Sequence, residues 1–254
     1  MPTLRALIFD VDGTLADTER DGHRVAFNLA FAEGGLTWRW DEVRYGELLH
    51  VAGGRERILH FIDSDALDVD VREREALARR LHACKTRHYM RLVHDGAVRL
   101  RPGAARLLHE AHAAGLTLAI ATTTTRANID ALIAHTLPCG AVDWFSAIGA
   151  GEDAPRKKPD PQVYQVVLER LRVAPAECLA FEDSAIGLRA ARAAELATVV
   201  VANDYTRDQD FSGAVAVLGG FGEPHTPSRV LAGPPLPRGV VDVEQLHAWH
   251  AASR

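Results

Sequence analysis

Asp10 and Asp12, followed by Gly13 and Thr14, stand where the apolar run Leu7, Ile8, Phe9 ends. The run reads as a buried strand, and Gly13 as the residue that lets the backbone turn out of it. In an extended chain residues i and i+2 project to the same side roughly 6.6 Å apart, so both carboxylates can face one reacting centre. Two carboxylates that close repel. A divalent cation, with one acid as nucleophile and the other as proton carrier, relieves the repulsion. A strand followed by an Asp-Gly turn is the plainer reading, and three downstream clusters weigh against it.

Thr122 follows the apolar stretch Leu116 to Ala121, Lys158 lies in RKKPDP, and Glu182, Asp183 and Ser184 follow CLAF, Cys178 to Phe181. Together with the first stretch they suit the handling of a phosphoryl group. Asp10 is the expected nucleophile, since a carboxylate is charged at neutral pH and needs no activating base, and an aspartyl-phosphate would result. Asp12 would protonate the leaving alkoxide and then deprotonate the attacking water. A hard cation, Mg2+, would bridge Asp10, the Asp12 backbone carbonyl and Asp183, with Glu182 a further ligand, because the donors are all oxygens. The Thr122 hydroxyl and backbone N–H groups at a helix start can hold phosphate oxygens, with Thr123 and Thr124 beside it. The Lys158 ammonium can neutralise charge between nucleophile and phosphate. Taken singly, the acidic pair and the threonines also read as helix caps, and the lysine as a solvated surface group.

Two further groups come from the stretch after the first motif. HVAGGRERI sets Gly53 and Gly54 before Arg55 and Arg57, a pattern suited to a second phosphate or a polyhydroxy substrate, or else to a helix start with exposed arginines. Glu19 and His23 can face the same cleft and bind substrate hydroxyls.

These residues need a frame. Residues 17–96 carry many charges and helix-like spacings such as Val25, Leu29 and Leu77, Leu81, and read as a helical cap inserted into a core made of 1–16 and 97–254. In that core strands alternate with helices: PGAARLLHEAHAAG, then Leu116 to Ala121, TTTTRANIDALIAH, WFSAIGA, PDPQVYQVVLERL, CLAF, AIGLRAARAAEL, ATVVVA and AVAVL. Such alternation predicts a doubly wound parallel α/β sheet with its site at the carboxyl ends of the strands. The stretch Glu223 to Gly239, with five prolines, reads as an irregular excursion, and VVDVEQLHAWHAASR as a terminal helix docked on the core.

At 254 residues and 47% hydrophobic the chain can bury a sizeable core. A net charge of −5 supplies no basic field for nucleic acid or an acidic membrane, so an anionic substrate must be captured by local cations. Cys84, Cys139 and Cys178 lack C-x-x-C spacing, which argues against disulfides and structural zinc and for a reducing compartment. With no signal-peptide pattern and no apolar run near 18 residues, the expectation is a soluble, cytoplasmic monomer acting on a small molecule.

FDVDGT, AIATTTT, the lysine of KKPDP and FEDS, in that order, resemble the motifs of the haloacid dehalogenase superfamily of phosphotransferases. The resemblance implies a Rossmann-like core, Mg2+, and the roles already given to Asp10, Asp12, Thr122, Lys158, Glu182 and Asp183. Dehalogenase members proper lack the second aspartate, so Asp12 points to phosphoryl chemistry. The insert resembles the helical cap of the β-phosphoglucomutase subgroup, and DTERDGHRVAFN, GGRER and LAIATTTTRANIDALI resemble CbbY-type phosphatases of carbon-fixing organisms. That family is associated with converting xylulose 1,5-bisphosphate, an inhibitor of Rubisco, to xylulose 5-phosphate. A second phosphate would give Arg55 and Arg57 a task. A phosphomutase, a broader sugar phosphate or phosphoglycolate phosphatase, and a catalytically silent binding module are the alternatives.

Overall fold

The computed structural model describes residues 2–51, 53–65 and 69–253. The first strand, β1 (Ala6–Phe9), is buried at every position, as expected of a central strand covered on both faces. A π-helical turn, Glu19–His23, then runs directly into α1 (Arg24–Glu33), followed by α2 (Glu42–Leu48), α3 (Gly54–Ser64) and α4 (Arg74–His94). These four helices enclose an aromatic core of their own, with Phe27, Phe31, Trp40, Tyr45 and Phe61 packed ring against ring.

The alternating part follows: α5 (Ala104–Ala113), β2 (Thr117–Ala121), α6 (Arg126–Thr136), β3 (Phe145–Gly149), α7 (Gln162–Leu171), β4 (Cys178–Glu182), α8 (Ala185–Ala193), β5 (Ala197–Val201), β6 (Ala216–Leu218), β7 (Val230–Ala232) and α9 (Val243–Ala252). The strands form one sheet in the order β3-β2-β1-β4-β5-β6-β7. All neighbours are parallel except β6 and β7. Thus the α/β doubly wound expectation holds. Strand β7 corrects the reading of 223–239 as wholly irregular: three residues there pair antiparallel with β6 at the sheet edge. A three-residue strand with two exposed positions, set among prolines and glycines, leaves no periodic signal.

Two apolar layers cover the sheet, one containing Leu7, Phe9, Leu118, Ile120, Leu179 and Phe181, the other Ala6, Ile8, Ala119, Val163 and Ala180. Phe9 and Phe181 stack across β1 and β4 with centroids 4.7 Å apart. Helix α9 docks through buried Leu246 and Trp249. Among the described residues the three cysteines are free, and no helix is long and apolar enough to cross a membrane.

Candidate active site

Register decides which side chains meet. Phe9 pairs with Ile120 on one side and Phe181 on the other, so Asp10, Ala121 and Glu182 leave the sheet at one level. Because β1 lies where the chain switches from one half of the sheet to the other, its carboxyl end opens a crevice. The Asp10 N–H still donates to Phe181 O at 3.0 Å, which ties the loop start to β4. Gly13 then turns at φ +86, and a Cβ there would lie 2.3 Å from Asp183 Oδ2. Only glycine both adopts that conformation without strain and lets the two acidic loops approach.

Lys158 arrives from the loop between β3 and α7, after which the Lys158–Pro159 peptide is cis. Its Nζ donates to Asp10 Oδ1 at 2.7 Å, Glu182 Oε1 at 2.6 Å and Ala121 O at 2.9 Å. Three N–H donors are thereby matched with three acceptors. Tyr164 OH also donates to Glu182 Oε1, whose second oxygen rests against Gly187 in the first turn of α8. Asn203, just past β5, donates to Asp183 Oδ2 at 2.7 Å.

Asp10, Glu182 and Asp183 are all buried and offer oxygens within 4.8 Å of one another, against one ammonium. Burial, reinforced by Glu182 and Asp12 and opposed by Lys158, pushes Asp10 up to about 7. Burial, Asp10 and Glu182 likewise raise Asp183 well above the carboxylate range. For Lys158 burial opposes the charge, yet Asp10 and Glu182 outweigh it and raise the pKa. This oxygen-only set, short of positive charge, fits a hard divalent cation. The freer oxygens belong to Asp10 and Asp183, since Glu182 is engaged by Lys158 and Tyr164.

Asp12 sits in a different environment. Its Oδ1 accepts from Thr18 Oγ1 at 2.7 Å and pairs with His23 Nε2 at 2.8 Å, while His23 Nδ1 lies 2.8 Å from Lys85 Nζ. With Nδ1 accepting from Lys85, His23 presents an Nε2 proton to Asp12. Burial alone would raise Asp12, but His23 and the Thr18 hydroxyl outweigh it and hold its pKa below the usual range. Burial also brings Lys85 down to about 8, against the pull of Asp12 and Glu19. The two aspartates of one motif are therefore driven apart, the pattern that divides roles between paired carboxylates.

A cleft of about 400 Å³ opens over these groups, lined by Asp10, Asp12, Glu19, Arg57, Thr122, Thr123, Lys158, Glu182 and Asp183 among the expected residues. His23, Gly54 and Thr124 border a smaller adjoining cavity of about 40 Å³. Arg55 borders neither and pairs with Glu56 at 3.0 Å. The expectation that Arg55 and Arg57 share the cleft fails on helical geometry, because residues two apart in α3 point about 200° from each other. Arg57 itself is spent: it donates to Tyr45 OH at 3.0 Å and to Leu48 O and Val51 O at 3.2 Å each. Tyr45 in turn donates to Glu19.

Several participants went unread in the sequence. Lys85 continues the apolar row Leu77, Leu81 at helical spacing, and a charge on such a row is a signal. Asn203 is a polar residue at a strand tip, as Thr122 is. Arg101 left no trace: its buried guanidinium donates to Gly13 O and Val201 O at 2.6 Å, Ala202 O at 2.8 Å and Gly219 O at 3.0 Å. It thus ties the turn after Asp12 to the ends of β5 and β6. Arg189, on the cleft rim, makes no hydrogen bond or ion pair among the described residues.

The sequence pattern of the haloacid dehalogenase-like hydrolases matches residues 4–195. The chain is 48% identical over 254 aligned residues to a Cupriavidus necator protein named CbbY, with 97% of each chain covered. It is 40% identical, with TM-score 0.78, to Rhodobacter sphaeroides CbbY, crystallised as an aspartate-to-asparagine variant with xylulose 1,5-bisphosphate, covering 87% of this chain and 96% of that one. A Thermotoga maritima protein described as a putative β-phosphoglucomutase is 27% identical with TM-score 0.61, over 84% of this chain and 94% of that one.

Proposed function

Because the chain belongs to the haloacid dehalogenase-like hydrolases and is a phosphoric monoester hydrolase, we propose that it is a Mg2+-dependent sugar bisphosphate phosphatase, acting on xylulose 1,5-bisphosphate to give xylulose 5-phosphate and phosphate. The observation that carries this reading is the meeting of three separate segments: Lys158 hydrogen-bonds both Asp10 and Glu182, and an Asp183 oxygen lies within 4.8 Å of those two carboxylates. In this reading residues 17–96 roof the cleft as a cap, and 1–16 with 97–254 form the catalytic core.

Asp10 attacks phosphorus, forming an acyl-phosphate bond as the bond to the sugar oxygen breaks. The departing alkoxide takes its proton from Asp12. Asp12 must acquire that proton first, and the adjacent source is a relay in which His23 Nε2 passes its proton to Asp12 Oδ1 as Lys85 Nζ delivers one to His23 Nδ1, leaving Lys85 neutral. In the second half Asp12 takes a proton from water, the resulting hydroxide attacks phosphorus, and phosphate leaves as the Asp10 carboxylate is restored. Lys158 and the Thr122 hydroxyl bear on the charge that builds on the phosphoryl oxygens. Mg2+, held by Asp10, Asp183 and Glu182, supplies further charge neutralisation when bound. The second phosphate of a bisphosphate meets Arg189, which lines the cleft and, among the described residues, makes no hydrogen bond or ion pair and only attracts Asp210 from a distance.

The test is a panel of sugar monophosphates and bisphosphates with excess Mg2+, run with Asp10→Asn. Phosphate release by the parent and none by the variant is expected. Undiminished release by Asp10→Asn refutes the mechanism. The likeness to a β-phosphoglucomutase-type protein keeps one competitor in view, and conversion of a hexose 1-phosphate to its 6-phosphate without net phosphate release would install it.

A further inference from the structure

Outside the cleft, one cluster of donor side chains has no part in the chemistry above. Cys84 and His88 stand four residues apart on α4, so both emerge on one face, a turn apart. Glu33, the last residue of α1, faces them across the helix pair. The thiol sulfur, an imidazole nitrogen and a Glu33 carboxylate oxygen all lie within 4.8 Å of one another. His88 Nε2 is 2.9 Å from Glu33 Oε2, while Arg87 Nη2 holds the other oxygen, Oε1, at 2.8 Å. Cys84 and His88 are at most 9% exposed, whereas Glu33 is open to solvent.

We propose that Glu33, Cys84 and His88 form a second metal site, which takes a borderline-soft divalent ion of the zinc type through three protein ligands and leaves a fourth position to water. With metal–sulfur bonds near 2.3 Å and metal–nitrogen and metal–oxygen bonds near 2.0 Å, tetrahedral donors stand roughly 3.3–3.6 Å apart, so this trio needs only small side-chain shifts. The donor set differs in kind from that of the cleft. Thiolate and imidazole favour zinc-like ions, whereas the all-oxygen cleft also accepts Mg2+, so with Mg2+ in large excess the two ions would divide between the two sites. Arg87 does what outer partners of metal-bound carboxylates do: it fixes the carboxylate plane and leaves one oxygen aimed inward. The bound ion would brace α1, which the turn ending at His23 enters directly, against α4, which carries Lys85.

The probe is Co2+ alone, titrated into the full chain with Mg2+ in large excess to fill the cleft. A Cys139→Ser background removes the exposed thiol. The expected result is saturation at one equivalent with a thiolate-to-cobalt absorption band in the near ultraviolet, displaced by Zn2+. Cys84→Ser should abolish the band and His88→Ala should weaken binding by about tenfold or more, with far-ultraviolet circular dichroism unchanged. An Asp183→Asn variant should keep the band, which separates this site from the catalytic one and from any failure of the phosphatase reading. Uptake that never saturates, or a band of equal size in Cys84→Ser, overturns the proposal.

Discussion

Replacing Lys158 with methionine keeps most of the side-chain volume and removes the ammonium on which Asp10 and Glu182 depend. The parent spends three contacts of 2.6–2.9 Å there, in a site where lysine and both acids are nearly inaccessible. Removing one partner of a buried ion pair costs about 3–5 kcal/mol. At roughly 2–4 °C per kcal/mol for a chain of this size, the melting temperature should fall by about 6–20 °C. The deficit must also depend on pH. Asp10 moves from 3.8 to about 7 on folding, a raised value, so its contribution is complete at acid pH and is lost as pH climbs through 7. Lys158 is raised as well, so its own contribution is whole across that range. Without the lysine, Asp10 and its neighbours titrate still higher. The variant should therefore be further below the parent near pH ~8 than near pH ~5.5, by more than about 1.4 kcal/mol, the worth of one pKa unit. Thermal unfolding followed by circular dichroism, in EDTA at the two pH values, measures this. Mg2+ should restore part of the loss at the higher pH by supplying charge. Equal deficits at both pH values, or a variant as stable as the parent, would refute the reading of the acidic cluster as a charge debt held by Lys158.

Two further outcomes follow from the geometry. Arg189→Ala should raise KM for a bisphosphate by about fivefold to tenfold while leaving a monophosphate unchanged, and Arg55→Ala should alter neither; steady-state kinetics on matched substrates decide it, and a larger effect of Arg55→Ala would return that residue to the cleft. Arg101→Lys cannot reproduce a guanidinium that serves four carbonyls, so the turn carrying Asp12 and Gly13 should loosen and kcat fall by about tenfold to a hundredfold with KM nearly constant. Full kcat in that variant would deny Arg101 a positioning role.

Strand and helix order, the parallel sheet and the placement of polar groups at the strand tips were legible along the chain, because burial on both faces writes continuous apolar runs and the acids begin where those runs stop. Thus Asp10, Thr122, Glu182 and Asp183 could be named from position alone. What separation along the chain cannot carry is which tips share a level: the pairing of Phe9 with both Ile120 and Phe181 does that, and Lys158 joins from 148 residues away. Orientation within the helices belongs to the folded state too, since it separates Arg55 from Arg57 and brings Lys85 to His23. The opposite pKa shifts of Asp10 and Asp12 arise in the same way. Residue type makes both acids, but burial, a lysine and a histidine contributed by distant segments make one resist ionisation and the other favour it.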